Sequence, residues 1–328
     1  MARKPVPLDE NKDLGFGSVV TKESSARFLN RDGSFNVERH GLGFWESLSP
    51  YHELITVPWT KFIAILVSSY VVLNCIFATL FVLCGEGAIQ SAEEVALDKG
   101  PLRAFFFSVE TFATIGYGHI YPVTLAANVV LTVESLVGLL WVAFSTGLLF
   151  ARFSRPTAKI LYSEKAVVAP YRGISGLMFR VANARRTQIV DISARLTLGR
   201  FETVNGARVR RFYNLPLERD SVVFFPLSWT VVHPIDESSP LHGVSEQDFS
   251  DSDAEVLILL TGTDETFSQV VHSRSSYKAS EISWGAKFAS VFNPTAPGER
   301  LSVDLTKLSQ AEPAKLPDAP VPTGGTGT

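Results

Sequence analysis

Cysteine is scarce in this chain of 328 residues: Cys75 and Cys84 are the only two, both beside one hydrophobic run. Two thiols nine positions apart exclude a disulfide framework, a CxxC redox pair and a zinc-ligand spacing. Both read as small membrane or interface side chains. Net charge is also small, −3 at pH 7, so nothing points to nucleic acid as a partner. The first 40 residues contain Arg3, Lys4, Asp9, Glu10 and Lys12 but no apolar stretch, so a cleavable signal peptide is not expected.

What the chain has in excess is apolar residues, 46% of the total, gathered in two runs before residue 154. Phe62 to Cys84 contains no charge, and Val123 to Phe153 contains one acid, Glu134. Each is long enough, at 1.5 Å per residue, to cross a hydrocarbon core of about 30 Å. Membrane-spanning helices are therefore expected over about 60–84 and 123–153. Arg39 and Lys61 flank the first run, Arg152, Arg155 and Lys159 follow the second, and Glu86, Glu93, Glu94 and Asp98 outweigh Lys99 and Arg103 between them. By the positive-inside rule both termini are expected in the cytoplasm. A shorter apolar stretch over 102–113, LRAFFFSVETFA, suits a re-entrant pore helix. Upstream, 44–58 mixes aromatics with Glu46, His52 and Glu53, as an interfacial helix would, although Pro50 breaks the pattern and leaves an irregular connector open.

Beyond residue 157 the texture changes to short β-rich stretches: 166–169, 177–181, 189–198, 222–225, 229–233, 256–260, 267–274 and 282–292. Gly, Pro, Asn and Asp signals separate them, which predicts an all-β sandwich over 157–305. Residues 1–43 are expected to form an N-terminal cytoplasmic segment, and 306–328, rich in Pro, Gly and Thr, a disordered tail.

Directly after the re-entrant segment stands Thr114-Ile115-Gly116-Tyr117-Gly118. Irregular backbone at membrane depth is tolerated only where it is buried or lines a water-filled path. Successive backbone carbonyls, those of Thr114, Ile115, Gly116 and Tyr117, would supply the neutral oxygens that replace the hydration shell of K⁺. Gly116 and Gly118 permit the positive φ such a strand needs. Thr114 adds a hydroxyl at the lowest site, and Tyr117 points away from the axis as a brace. One chain supplies a quarter of each ring, so a homotetramer is expected, with K⁺ ions in the filter and no other cofactor.

The wider stretch Thr111-Phe112-Ala113-Thr114-Ile115-Gly116-Tyr117-Gly118 matches the TxxTxGYG potassium-channel signature. Arg152-Phe153-Ser154-Arg155-Pro156 resembles the ARFxRP boundary of inward-rectifier (Kir-type) potassium channels. LMFRVANAR (177–185), SWTVVHPIDESSPLHG (228–243) and SRSSYKASEISWGAKF (273–288) are similar to strand and loop motifs of that family, above all of its prokaryotic, KirBac-like branch. The resemblance runs from about 44 to 305. It implies a slide helix, a two-span pore with a re-entrant helix, and an immunoglobulin-like cytoplasmic sandwich that extends the ion path. It also implies a hinge at Gly138 and a bulky gate residue at Phe150, with Val142 and Thr146 on the cavity-lining face; ordinary helix packing is the alternative for each.

Departures from the family matter as much. Strong eukaryotic rectifiers carry acids at positions aligned with Val142, Asn205 and Thr261, all neutral here, so weak polyamine rectification is expected. Eukaryotic relatives pair the pore-helix acid with an arginine two residues after GYG, where this chain has Ile120. Glu110 is then left to His119, to a hydrogen bond with filter backbone, or to protonation; Thr111 belongs with them as filter support. Glu134 is either a support of the upper cavity or pore-helix interface or a packed structural acid. Arg152, Arg155 and Lys159 are candidates for anionic lipid headgroups, or serve the positive-inside rule alone. The competing readings are a Na⁺-permeable pore of the same topology and a membrane-anchored adhesion protein, against which GYG and the inward-facing β domain respectively argue. His233, Asp236 and Ser238 resemble a loop of the family's sandwich, and no enzyme is expected.

Overall fold

Pro50 does not interrupt a helix; it starts one. The structure, a computed structural model, describes residues 27–37, 41, 49–91, 100–154, 159–185, 188–225, 227–293 and 302–317. It separates into one unit drawn from His40–Arg155 and another drawn from Met1–Arg39 with Pro156–Thr328.

In the first unit, helix α1 spans Pro50–Thr56 with the proline at its first position, where the missing N–H costs nothing and φ is preset. Of the expected interfacial helix over 44–58, residues 50–56 are helical; 42–48 lie outside the described residues. Helix α2 covers Trp59–Leu83 and α4 covers Leu125–Phe153, 25 and 29 residues with mean hydropathy 2.2 and 1.9. Between them α3 covers Pro101–Phe112, again opened by proline and one residue earlier than expected. Thr124 Oγ1 accepts a hydrogen bond from Ala127 N–H at 3.2 Å and caps α4, which moves the start of that helix from 123 to 125. Aromatic contacts join the three helices: Phe81 against Phe107 at 4.9 Å, Tyr70 against Phe112 at 5.4 Å and Phe112 against Trp141 at 6.0 Å. Such pairs add about 0.5–1.5 kcal/mol each beyond the area they bury.

In the second unit two five-stranded sheets face each other. One contains β3 (Ile160–Tyr162), β4 (Ala166–Tyr171), β5 (Ile174–Asn183), β9 (Ser228–Ile235) and β12 (Ile282–Trp284). The other contains β6 (Ile189–Val204), β7 (Ala207–Leu215), β8 (Ser221–Phe224), β10 (Glu255–Asp264) and β11 (Gln269–Lys278). Strand β10 alternates buried Val256, Ile258 and Leu260 with half-buried Leu257, Leu259 and Thr261, the period-two signature of a sheet with one face in a core. Phe179, Val181, Ile192, Leu198 and Val231 complete that core from both sheets.

Two expectations need correction here. The sequence reading had no strand at 207–215, because Arg208, Arg210 and Arg211 mask its pattern. Arg210 is in fact buried, its guanidinium 4.5 Å from the Phe28 ring and 4.9 Å from Phe201, with Nη2 donating to the Asp253 carbonyl at 3.1 Å. The overlooked signal was Asn205-Gly206, whose φ values of 51° and 79° make the two-residue hairpin turn that Asn-Gly favours. The tail is also ordered further than expected. Leu305–Lys307 form a 3₁₀ turn, Leu308 is buried, and β14 (Ala311–Pro313) pairs with β13 (Ala286–Phe288). Burial of Leu308 and packing of Leu316 against the core hold this stretch; 318–328 lie outside the described residues.

The N-terminal segment is not separate either. Residues 27–37 dock on the β unit: Phe28 and Leu29 are buried, and their backbone N–H groups face the Glu255 carboxylate at 3.1 and 3.5 Å. Arg27 makes a two-pronged pair with Glu281 at 3.1 and 3.0 Å.

Candidate functional site

The C-terminal end of α3 leads directly into the Thr114–Gly118 strand. Thr114 N–H donates to the Thr111 carbonyl at 3.0 Å, and the Ile115 and Gly116 N–H groups donate to the Glu110 carbonyl at 2.8 and 3.4 Å. The last carbonyls of a helix lack partners within it; here the following strand supplies them. Thr114, Gly116 and Gly118 have φ of 56°, 55° and 79°, whereas Ile115 and Tyr117 have no positive φ. Alternation of left- and right-handed residues turns successive carbonyls to the same side of the strand, where an ordinary β-strand alternates them. Positive φ on a β-branched threonine is costly, and such outliers gather at functional sites.

The far end of the strand is clamped by a small ladder. Strand β1 (Ile89–Ser91) pairs antiparallel with β2 (Ile120–Pro122), and Val123 N–H donates to the Ala88 carbonyl at 2.9 Å. Ile120 is buried in that ladder. His119 Nε2 lies 3.5 Å from Glu110 Oε1, and its ring centroid 6.1 Å from that of Tyr117. The carbonyl of Glu110 thus serves the Thr114–Gly118 strand while its side chain faces His119. Tyr117 is 74% exposed and Ile115 48% exposed in the single chain.

Glu134 is fully buried at the junction of three helices. Ser108 Oγ of α3 donates within reach of both Asn74 Oδ1 of α2, at 3.1 Å, and Glu134 Oε1 of α4. Asn74 Nδ2 donates to the Tyr70 carbonyl at 2.8 Å. Sequence reading singled out the acid but missed Asn74 and Ser108. A polar residue in each of three apolar segments was the available signal, but which polar residues meet is a matter of packing.

Gly138 lies on this same buried face and not on the exposed stripe. A β-carbon there would stand 2.7 Å from the Phe112 carbonyl oxygen and 3.2 Å from its Cα. Its bare backbone admits the end of α3, next to the Thr114–Gly118 strand. Val142, Thr146 and Phe150, spaced by four, are all exposed, Phe150 by 73%, and α4 runs unbroken past all three. Below Phe150, Arg152 turns to the Leu54 and Val57 carbonyls. Lys159 is exposed, and Arg155 lies outside the described residues. In the β unit Asn205 occupies the β6–β7 turn, and Thr261 Oγ1 is 3.1 Å from His272 Nδ1.

Comparison with known proteins agrees with this architecture. The family described as inward rectifier potassium channel C-terminal domain matches residues 160–324, and the family described as ion channel matches 62–155. The inward rectifier potassium channel Kirbac3.1 of Paramagnetospirillum magnetotacticum is 42% identical over 296 residues, 90% of this chain and 98% of its own. Two mammalian proteins are similar at 29% identity over 87% of this chain. They are the ATP-sensitive inward rectifier potassium channel 12 of Bos taurus, covered over 72% of its length, and the inward rectifier potassium channel 18 of Homo sapiens, covered over 71%.

Proposed function

Because the chain belongs to the inward-rectifier potassium channel family, we propose that four copies enclose a K⁺ path whose filter is Thr114–Gly118. The observation that carries this reading is the alternating backbone, with positive φ at Thr114, Gly116 and Gly118, at the end of a re-entrant helix. Four such strands around an axis present rings of carbonyls from Thr114 to Tyr117, the oxygens that replace the hydration shell of K⁺. The α3 C-terminus adds partial negative charge beneath them, which favours a cation.

The remaining parts follow from the same frame. Glu110, Thr111 and His119 support the filter from behind, and K⁺ is the ligand, with no other cofactor. The exposed stripe Val142, Thr146 and Phe150 faces the axis, where four Phe150 rings close a hydrophobic gate by excluding water. Movements of the β domain work that gate. The flanking positive charges orient the protein in the plasma membrane of a prokaryote with both termini in the cytoplasm, and Lys159 and Arg155 lie where anionic headgroups would be.

With Val142, Asn205 and Thr261 neutral, polyamine block is weak. Proteoliposomes loaded with KCl test both claims: they take up Rb⁺ tracer and exclude Na⁺, and micromolar spermine leaves the flux nearly unchanged. Steep block by spermine contradicts the rectification reading, and Na⁺ uptake equal to that of Rb⁺ contradicts the filter reading.

A further inference from the structure

The position and charge of Arg152, at the membrane end of α4, suggest a lipid contact. Its surroundings point elsewhere. The Nη1 group donates to the Leu54 carbonyl at 2.9 Å and Nη2 to the Val57 carbonyl. Leu54 stands in the last turn of α1, and Val57 is the residue that ends it. Carbonyls there have no partner within the helix and carry the negative end of its dipole. The Glu53 carbonyl is already taken by Val57 N–H at 3.0 Å, so the arginine serves the carbonyls that follow.

The face of the same guanidinium is also occupied. Its central carbon lies 4.6 Å from the Trp59 ring centroid and 4.9 Å from that of Phe62. Trp59 packs in turn on Phe62 at 5.9 Å and on Phe153 at 5.0 Å, and Phe62 is fully buried within this group. Two forked N–H donors and two stacked rings are a combination that a planar guanidinium satisfies and an ammonium does not.

We propose that Arg152 is a positioning residue that latches α1 to the end of α4, two residues beyond Phe150, and not a lipid ligand. The end of α1 is thereby tied to the last turn of α4 through the Leu54 and Val57 carbonyls. This latch rests on the reading of Phe150 as the gate, but its geometry is measurable apart from conduction.

The test compares the wild type with Arg152→Lys and Arg152→Gln as full-length protein reconstituted in phosphatidylcholine vesicles containing increasing phosphatidylglycerol. Hydrogen exchange of amides over 50–62 reports the latch, and Rb⁺ flux against phosphatidylglycerol content reports the lipid response. Both variants are expected to exchange about tenfold faster over this stretch, a change the loss of one or two charge-assisted hydrogen bonds supports. The phosphatidylglycerol midpoint stays where the wild type has it. Exchange unchanged in Arg152→Gln overturns the proposal. So does a midpoint shifted by Arg152→Gln and restored by Arg152→Lys, because charge alone would then suffice. Na⁺ passing as readily as Rb⁺ through the wild type would sink the filter reading while leaving the exchange result to decide the latch.

Discussion

Gly138 shows how a residue's reason can differ from the one its position suggests. Family resemblance implied a hinge with ordinary helix packing as the alternative, and the structure adds a contact at that position, with Phe112 backbone where a β-carbon would be. Backbone cannot swing aside as the end of a side chain can, so Gly138→Ala pushes α3 and the filter strand out of place. K⁺ flux in this variant is expected to fall by about tenfold, which requires about 1.4 kcal/mol, within the roughly 1–3 kcal/mol that overpacking costs. Gly147, also in α4, has nothing within 4 Å, and Gly147→Ala is expected to conduct and to gain about 0.5–1 kcal/mol of helix stability. Wild-type flux in Gly138→Ala would show that the Phe112 backbone accommodates a β-carbon there and would contradict the contact reading.

His233 offers a second test at this scale. It is buried, with Nδ1 2.6 Å from the Pro216 carbonyl and Nε2 2.8 Å from Ser239 Oγ. The carbonyl can only accept, so Nδ1 carries the hydrogen and Nε2 accepts from the serine hydroxyl. Burial holds the imidazole below its ordinary value, against smaller opposing effects of the Pro216 carbonyl and Asp236. The unfolded chain therefore binds the proton first as pH falls, so stability rises with pH across this window. The contribution of His233 is complete above about pH 6.5, the unfolded value, and is lost as pH falls through the depressed folded one. Thermal unfolding of His233→Gln is expected to show a deficit of about 1–3 kcal/mol at pH 7.5 that shrinks toward pH 5. A deficit independent of pH would contradict this.

At the level of elements, what sequence revealed depended on how locally each feature is encoded. An uncharged run from Phe62 to Cys84 declares α2 by itself, and Thr114–Gly118 declares an irregular strand because its chemistry lies in the backbone. Strand β7 was hidden because a buried arginine reads as surface, and Arg210 is covered by Phe201 across its own hairpin and by Phe28 from a distant part of the chain. The docking of 27–37 was equally hidden, since Arg27 meets a carboxylate 254 positions away and leaves no periodicity. This docking has a measurable consequence. Arg27→Ala removes the pair with Glu281 and the bonds to Ser276, and is expected to cost about 1–3 kcal/mol given its half-buried, two-pronged geometry. Limited proteolysis should then cut near residue 37 several-fold faster, and an unchanged cleavage rate would show the segment is held without Arg27.

For the whole molecule, a single chain leaves its most chemical surface uncovered. Tyr117, Phe144 and Phe150 are each at least 70% exposed, and lipid does not suit the polar strand beside the first of them. The proposed fourfold assembly would resolve this by turning the carbonyl side of each strand to a common axis and Tyr117 toward surrounding protein. The family establishes a potassium channel; the filter geometry is the part that an electrical measurement reaches most directly. Purified protein in a planar bilayer, with K⁺ on one side and Na⁺ on the other, gives a reversal potential. The account predicts a value close to the K⁺ equilibrium limit, with Na⁺ current negligible beside K⁺. A reversal potential near zero would contradict it, since rings of carbonyls from Thr114 to Tyr117 would then not be setting which ion passes.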